Sequence, residues 1–141
     1  MDFNMVGPVL VLAIPAIGSC IGCYIAGSAA HAAMSITEDG HGKYIGMSAA
    51  PASQCIYGFV LMLMMKDAIL AGTLSPIAGV AMGLFCGLAM VASSVFQGRV
   101  CATGIQASVK QPSVYGKCWA SIGIIESFAL FTFVFSILLL Q

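Results

Sequence analysis

Long apolar runs broken by short polar segments set the pattern of this chain. Four runs are long enough to cross a bilayer as helices: about Val6 to Met34, Tyr44 to Met65, Pro76 to Val109 and Lys117 to Leu140. Between them lie Thr37-Glu38-Asp39-Gly40-His41-Gly42-Lys43, then Lys66-Asp67 with Gly72-Thr73-Leu74-Ser75-Pro76, then Lys110-Gln111-Pro112-Ser113. Their Gly, Pro and Ser residues reverse the chain. The pattern predicts an all-α membrane protein of four transmembrane helices. The first and third runs exceed what a bilayer needs, so they should tilt or project, with His31 and Arg99 near the projecting ends. The first run continues past Ala26, and Asp2 stands where a cleaved leader would carry basic residues, so a retained helix is expected.

The pattern repeats. Gly42-Lys43 before the second run parallels Gly116-Lys117 before the fourth, and Gly18-x-x-x-Gly22 in the first parallels Gly83-x-x-x-Gly87 in the third. This divides the chain into two hairpins, residues 1–70 and 71–141, duplicated in parallel and unlike the inverted repeats of many transporters. Gln54 and Glu126 fall at nearly the same distance beyond their paired glycines, so each hairpin puts one polar group at a similar depth.

Composition narrows the class. The chain is 60% hydrophobic and 7% charged, with zero formal net charge, which excludes a polar-surfaced soluble domain. Nothing in that balance recommends a nucleic-acid partner. No Gly-rich phosphate loop ending in Lys-Ser or Lys-Thr is present, so nucleotide chemistry is not expected of this chain. Lys43, Lys110, Lys117 and Arg99 flank the first and third breaks, whereas the second offers Lys66. The positive-inside rule then puts the first and third loops in the cytoplasm and both termini outside. Cys20, Cys23, Cys55, Cys86, Cys101 and Cys118 lie in or beside apolar runs and read as small buried side chains, the Cys20-Ile-Gly-Cys23 spacing having no second pair or His cluster beside it.

Glu126 stands out against this background. It is the one charged residue beyond Lys117, deep in the fourth run. A charge at the bilayer centre costs about 2.5–3.5 kcal/mol on insertion scales, and such residues mark ion or proton paths. Ser53, Gln54 and Tyr57 lie within about one turn of the second run, and Gln97 lies in the third. Mid-span Ser and Gln also serve as interhelical glue worth about 0.6–2 kcal/mol each. With a lone Glu on a neighbouring helix, the carboxylate, amide and hydroxyl oxygens suit a hard cation, while a proton would neutralise the carboxylate equally.

Small residues form stripes in the two long runs: Gly18, Gly22, Ala26, Ala29 and Ala33, then Gly79, Gly83, Gly87, Ser94, Gly98 and Ala102. Such stripes let helix backbones approach closely in lipid. They fit ordinary packing within one chain or, along spans this long, an inner ring of helices from many copies.

These features together resemble the proteolipid, or K, subunit that forms the membrane rotor ring (c-ring) of V-type and A-type rotary ATPases, in its prokaryotic sodium-type form. The resemblance is carried by the tandem hairpins, by Phe96-Gln97-Gly98-Arg99-Val100 running on to Gly104-Ile105-Gln106, by Pro51-Ala52-Ser53-Gln54 with Tyr57-Gly58-Phe59, and by a mid-span carboxylate in the second hairpin alone, Glu126 in the last span. It implies a non-catalytic subunit for ion transport coupled to ATP hydrolysis or ATP synthesis. In sodium-carrying members the last-helix carboxylate binds the ion directly, here Glu126. The resemblance further implies that Gln97 and Gln54 supply amide oxygens, Ser53 (Thr in the family) a hydroxyl, Ala50 a backbone carbonyl, and Tyr57 a hydrogen bond to the carboxylate. Sodium is then the expected cargo, with a proton as the other choice. Implied partners are copies of the chain in a ring, a stator membrane subunit supplying an Arg, a central-stalk subunit and the lipid bilayer. The implied location is the cell inner membrane.

Two other classes fit four spans. A small four-helix proton-coupled multidrug exporter also carries one membrane Glu, but in its first span and among pocket aromatics, whereas Trp119 lies near an interface here. A purely structural membrane scaffold leaves Glu126 unexplained.

Overall fold

The computed structural model describes residues 3–140. Asp2, on which the reading of the N-terminus rests, lies outside the described residues. The helices are α1 (Val6–Met34), α2 (His41–Ser48), α3 (Ser53–Leu70), α4 (Pro76–Lys110) and α5 (Tyr115–Leu139), with short 3₁₀ turns at Phe3–Met5, Ala50–Ala52 and Pro112–Val114. Four segments are long and apolar enough to cross a membrane: Phe3–Met34, His41–Leu70, Pro76–Lys110 and Pro112–Leu139.

Two boundaries differ from the expectation. Lys66 and Asp67 do not break the second span but lie inside α3, where they pair at 3.3 Å. Ala68, Ile69 and Leu70 carry the helix on, and Gly72 in the left-handed conformation (φ 77°) ends it. The span also starts earlier, with His41, Gly42 and Lys43 already helical after the left-handed Gly40. α4 begins where chemistry favours it: the Ser75 hydroxyl accepts the Ala78 N–H, and Pro76 takes the first turn, where its missing N–H costs nothing.

The second span is not one straight helix. Pro51 has no N–H to give, and the 3₁₀ turn around it joins α2 to α3. Side chains from neighbouring helices satisfy the groups this turn exposes. The Ser94 hydroxyl donates to Pro51 O at 2.9 Å, and Cys55 N–H donates to Ser19 Oγ at 3.1 Å. In α1, Pro15 leaves Val11 O without its helical donor. Gly58 packs directly on that carbonyl, and a Cβ there would stand 2.5 Å from it.

α1 and α4 run side by side and make the largest contact in the molecule. Glycines of both stripes line this seam within the chain. Gly7 meets Gly79 and Gly83, Gly18 meets Val91, and Gly22 meets Ser94 and Gly98. The glycines that correspond in the repeat are therefore not the ones that touch. Gly18 and Gly22 parallel Gly83 and Gly87 in sequence, yet in space they meet residues several positions further along α4. Spacing of glycines does not mark this register, because other small residues, such as Ser94, fill holes equally well.

Two apolar clusters bracket the middle of the bundle. One gathers Ala26, Ala30, Tyr44, Met47, Cys101, Ile105 and Ile122, and the other Val11, Leu61, Met65, Met90 and Ala129. Between them lies a buried polar layer of Ser19, Gln54, Ser93, Ser94 and Gln97. Of the cysteines, Cys101 is buried and four are half-buried, but Cys20 is exposed, which corrects the uniform burial expected; the inward-facing places beside it are taken by its neighbours Gly18, Ser19 and Gly22. His31 and Arg99 are both exposed.

Candidate functional site

The polar layer converges on Glu126. This carboxylate sits half-buried on α5, flanked one turn away on either side by the buried Ile122 and Ala129. The Tyr57 hydroxyl on α3 donates to Glu126 Oε1 at 2.9 Å, and the Tyr57 ring is held by stacking on Phe133, centroids 5.4 Å apart. Gln97 on α4 donates its amide N–H to Glu126 Oε2 at 3.3 Å and to Ile122 O at 3.4 Å. Gln97 Oε1 in turn accepts from Gln54 Nε2 at 2.8 Å. The series of bonds ends on the 3₁₀ turn: Ser53 Oγ stands 3.3 Å from Gln54 Oε1 and donates to Ala50 O at 3.2 Å.

All six residues singled out in the sequence thus lie in one connected network drawn from three spans. Gln54 and Gln97 are fully buried, while Ser53, Tyr57 and Glu126 are half-buried. Among the described residues every buried side-chain polar atom has a partner. This matters in a span, where an unsatisfied polar group costs several kcal/mol.

Sequence reasoning missed Ser93. Its hydroxyl accepts from Gln54 Nε2 at 3.2 Å and donates to Ile125 O at 2.9 Å, tying α3, α4 and α5 together beside the carboxylate. The available signal was its position one turn before Gln97 on the same helix face. Phe133 and Ser19 were also passed over, and only cross-helix packing reveals them.

No Lys, Arg or His among the described residues comes within ion-pair distance of Glu126. Its charge is therefore met by hydrogen-bond donors alone, which stabilise a carboxylate less than a counter-ion does in a low-dielectric layer. No cluster of three His, Cys, Asp or Glu side chains occurs among the described residues. What the site offers is one carboxylate with amide, hydroxyl and carbonyl oxygens around it, a donor set for hard ions.

At one end of the bundle the first and third loops meet. Asp39, Gly40, Lys43, Tyr44, Ser108, Pro112 and Tyr115 line a hollow there, with the Lys43 ammonium 5.7 Å from the Tyr115 ring centroid.

Comparison with known proteins agrees with this architecture. The family model for the ATP synthase C subunit matches twice, at residues 6–65 and 80–139. The chain is also 31% identical over 134 residues to the V-type sodium ATPase subunit K of Enterococcus hirae, covering 87% of this chain and 80% of that protein.

Proposed function

The chain belongs to the ATP synthase C subunit family, and from that premise we propose that it is a rotor-ring protein that carries sodium on Glu126. The family makes it a multi-pass, non-catalytic, ion-translocating part of a rotary ATPase and sets aside the exporter and scaffold readings. The observation that carries the sodium reading is the unbroken hydrogen-bonded run of oxygen-bearing groups from Ala50 through Ser53, Gln54 and Gln97 to the lone carboxylate. The similarity to a component of a sodium ATPase supports it.

In this reading the cation is the cargo. Glu126 supplies the charge, and Ser53, Gln54 and the Ala50 carbonyl supply neutral oxygens. Gln97 Oε1 keeps one lone pair beyond its bond from Gln54, and a rotation of the amide that offers this oxygen to the ion would withdraw the amide nitrogen from Oε2. Tyr57 holds the other carboxylate oxygen. With the ion bound the site is neutral, and a neutral site crosses lipid without the penalty of a bare charge. A stator subunit supplying an Arg would attract the emptied carboxylate and exchange the ion, and a central stalk would pass on the torque. The two repeats, 1–70 and 71–141, would sit with the first and third loops in the cytoplasm and the termini on the outer face of the cell inner membrane.

A proton is the second reading. It is favoured by the Gln97 nitrogen facing Glu126, because an amide N–H offers a metal no ligand there, whereas the carbonyl oxygen of a protonated Glu126 can still accept it. Labelling of Glu126 in the complex by a hydrophobic carbodiimide, across pH with and without sodium, separates the two. Protection by millimolar sodium at neutral pH supports sodium transport; labelling insensitive to sodium but governed by pH supports the proton.

A further inference from the structure

Ser93 stands beside the carboxylate without touching it, and its single proton decides how the site is wired. A hydroxyl has one hydrogen to donate and two lone pairs. Ser93 donates that hydrogen to Ile125 O, at 2.9 Å, the carbonyl just before Glu126. Toward Gln54 it can then only accept. Gln54 must therefore present its amide nitrogen, and does so at 3.2 Å. The second hydrogen of that nitrogen goes to Gln97 Oε1 at 2.8 Å. With both hydrogens committed on one side, Gln54 Oε1 is left on the other, where its near neighbour is the Ser53 hydroxyl at 3.3 Å.

Burial makes this ordering strict. Ser93 is 4% exposed, and Gln54 and Gln97 are fully buried, so water does not rescue an inverted amide. An inverted Gln54 would turn its oxygen on the Gln97 oxygen and its nitrogen toward the oxygens that would take a cation. The Ser93 hydroxyl, set by its anchor on α5, forbids that inversion. The same bond couples the α3 ligand pair to the backbone that carries Glu126.

We infer that Ser93 is a positioning residue for the transported cation: it fixes the amide orientation of Gln54, so that Gln54 Oε1 is offered as a ligand. This rests on the sodium reading proposed above. It assigns to Ser93 no contact with the ion.

The test is sodium protection of Glu126 against a hydrophobic carbodiimide, in the intact rotary complex in its membrane. Ser93→Ala, Ser93→Thr, Gln54→Ala and the Ser93→Ala/Gln54→Ala double variant are compared with the unaltered chain. Ser93→Ala should raise the half-protecting sodium concentration about tenfold, and Ser93→Thr, which keeps the hydroxyl, should restore most of the loss. In the Gln54→Ala background Ser93→Ala should add less than about twofold, because the amide it orients is gone. Equal losses in both backgrounds would overturn the inference and leave Ser93 a packing residue, as would unchanged protection in Ser93→Ala. Absence of sodium protection in the unaltered chain would sink the sodium reading and this inference with it, whereas protection that ignores Ser93 sinks the inference alone.

Discussion

Gln97 turns its amide nitrogen, not its oxygen, toward Glu126, 3.3 Å from Oε2, while its oxygen faces Gln54. The same side chain can therefore serve a bare carboxylate through nitrogen or a bound cation through oxygen. A protonated Glu126 does not need the Gln97 oxygen, because its carbonyl oxygen can keep the Gln97 N–H, whereas a cation would use that oxygen as a ligand. Gln97→Ala should thus weaken sodium binding about tenfold and proton binding much less, read as half-protecting sodium concentration and as the pH dependence of carbodiimide labelling. Equal effects on both would argue that Gln97 is not a ligand.

Glu126→Gln keeps the shape of the side chain and removes the charge. The amide can still accept from Tyr57, and a neutral group in the span lowers the insertion cost. Ring assembly should be retained and ion transport lost to background, measured as ion uptake by vesicles holding the whole complex. Normal transport by this variant would sink the mechanism.

Tyr57→Phe removes the 2.9 Å hydrogen bond to Glu126 but leaves the ring stacked on Phe133. A hydrogen bond to a charged group is worth about 1.5–3 kcal/mol when buried, and less at this half-exposed site. The carboxylate should become several-fold faster to label with carbodiimide in the absence of sodium. An unchanged rate would mean that the hydroxyl does not cover it.

The close seam between α1 and α4 should tolerate no added bulk. A Cβ on Gly22 would stand 2.5 Å from Ser94 O and 2.7 Å from Pro51 Cβ, against the turn that shapes the site. Gly22→Val should cost at least about 1–3 kcal/mol, the usual penalty of overpacking, and should cut the yield of assembled complex. Gly46→Ala, on the exposed face of α2 with nothing within 4 Å, should leave that yield unchanged. Detergent-stable ring recovered on gels measures both, and equal yields would show that the seam has room for a larger side chain.

Much of this protein was legible from residue order alone. Four spans follow from apolar runs, because lipid demands about twenty apolar residues per helix whatever they pack against. Glu126 announces itself because a lone charge in such a run is costly. Gln54, Gln97, Ser53 and Tyr57 could be gathered around it because mid-span polar groups are few. Tertiary structure decided the rest. It showed that the span ends at Gly72 rather than Lys66, since a polar pair at a helix end is solvated and does not stop it. It set the register of α1 on α4 through Gly22, Ser94 and Gly98, which spacing of glycines could not do because any small residue fills a hole. It also gave Ser93 its place, since which way a hydroxyl and two amides point depends on partners from three helices at once, and no local pattern in one helix encodes that.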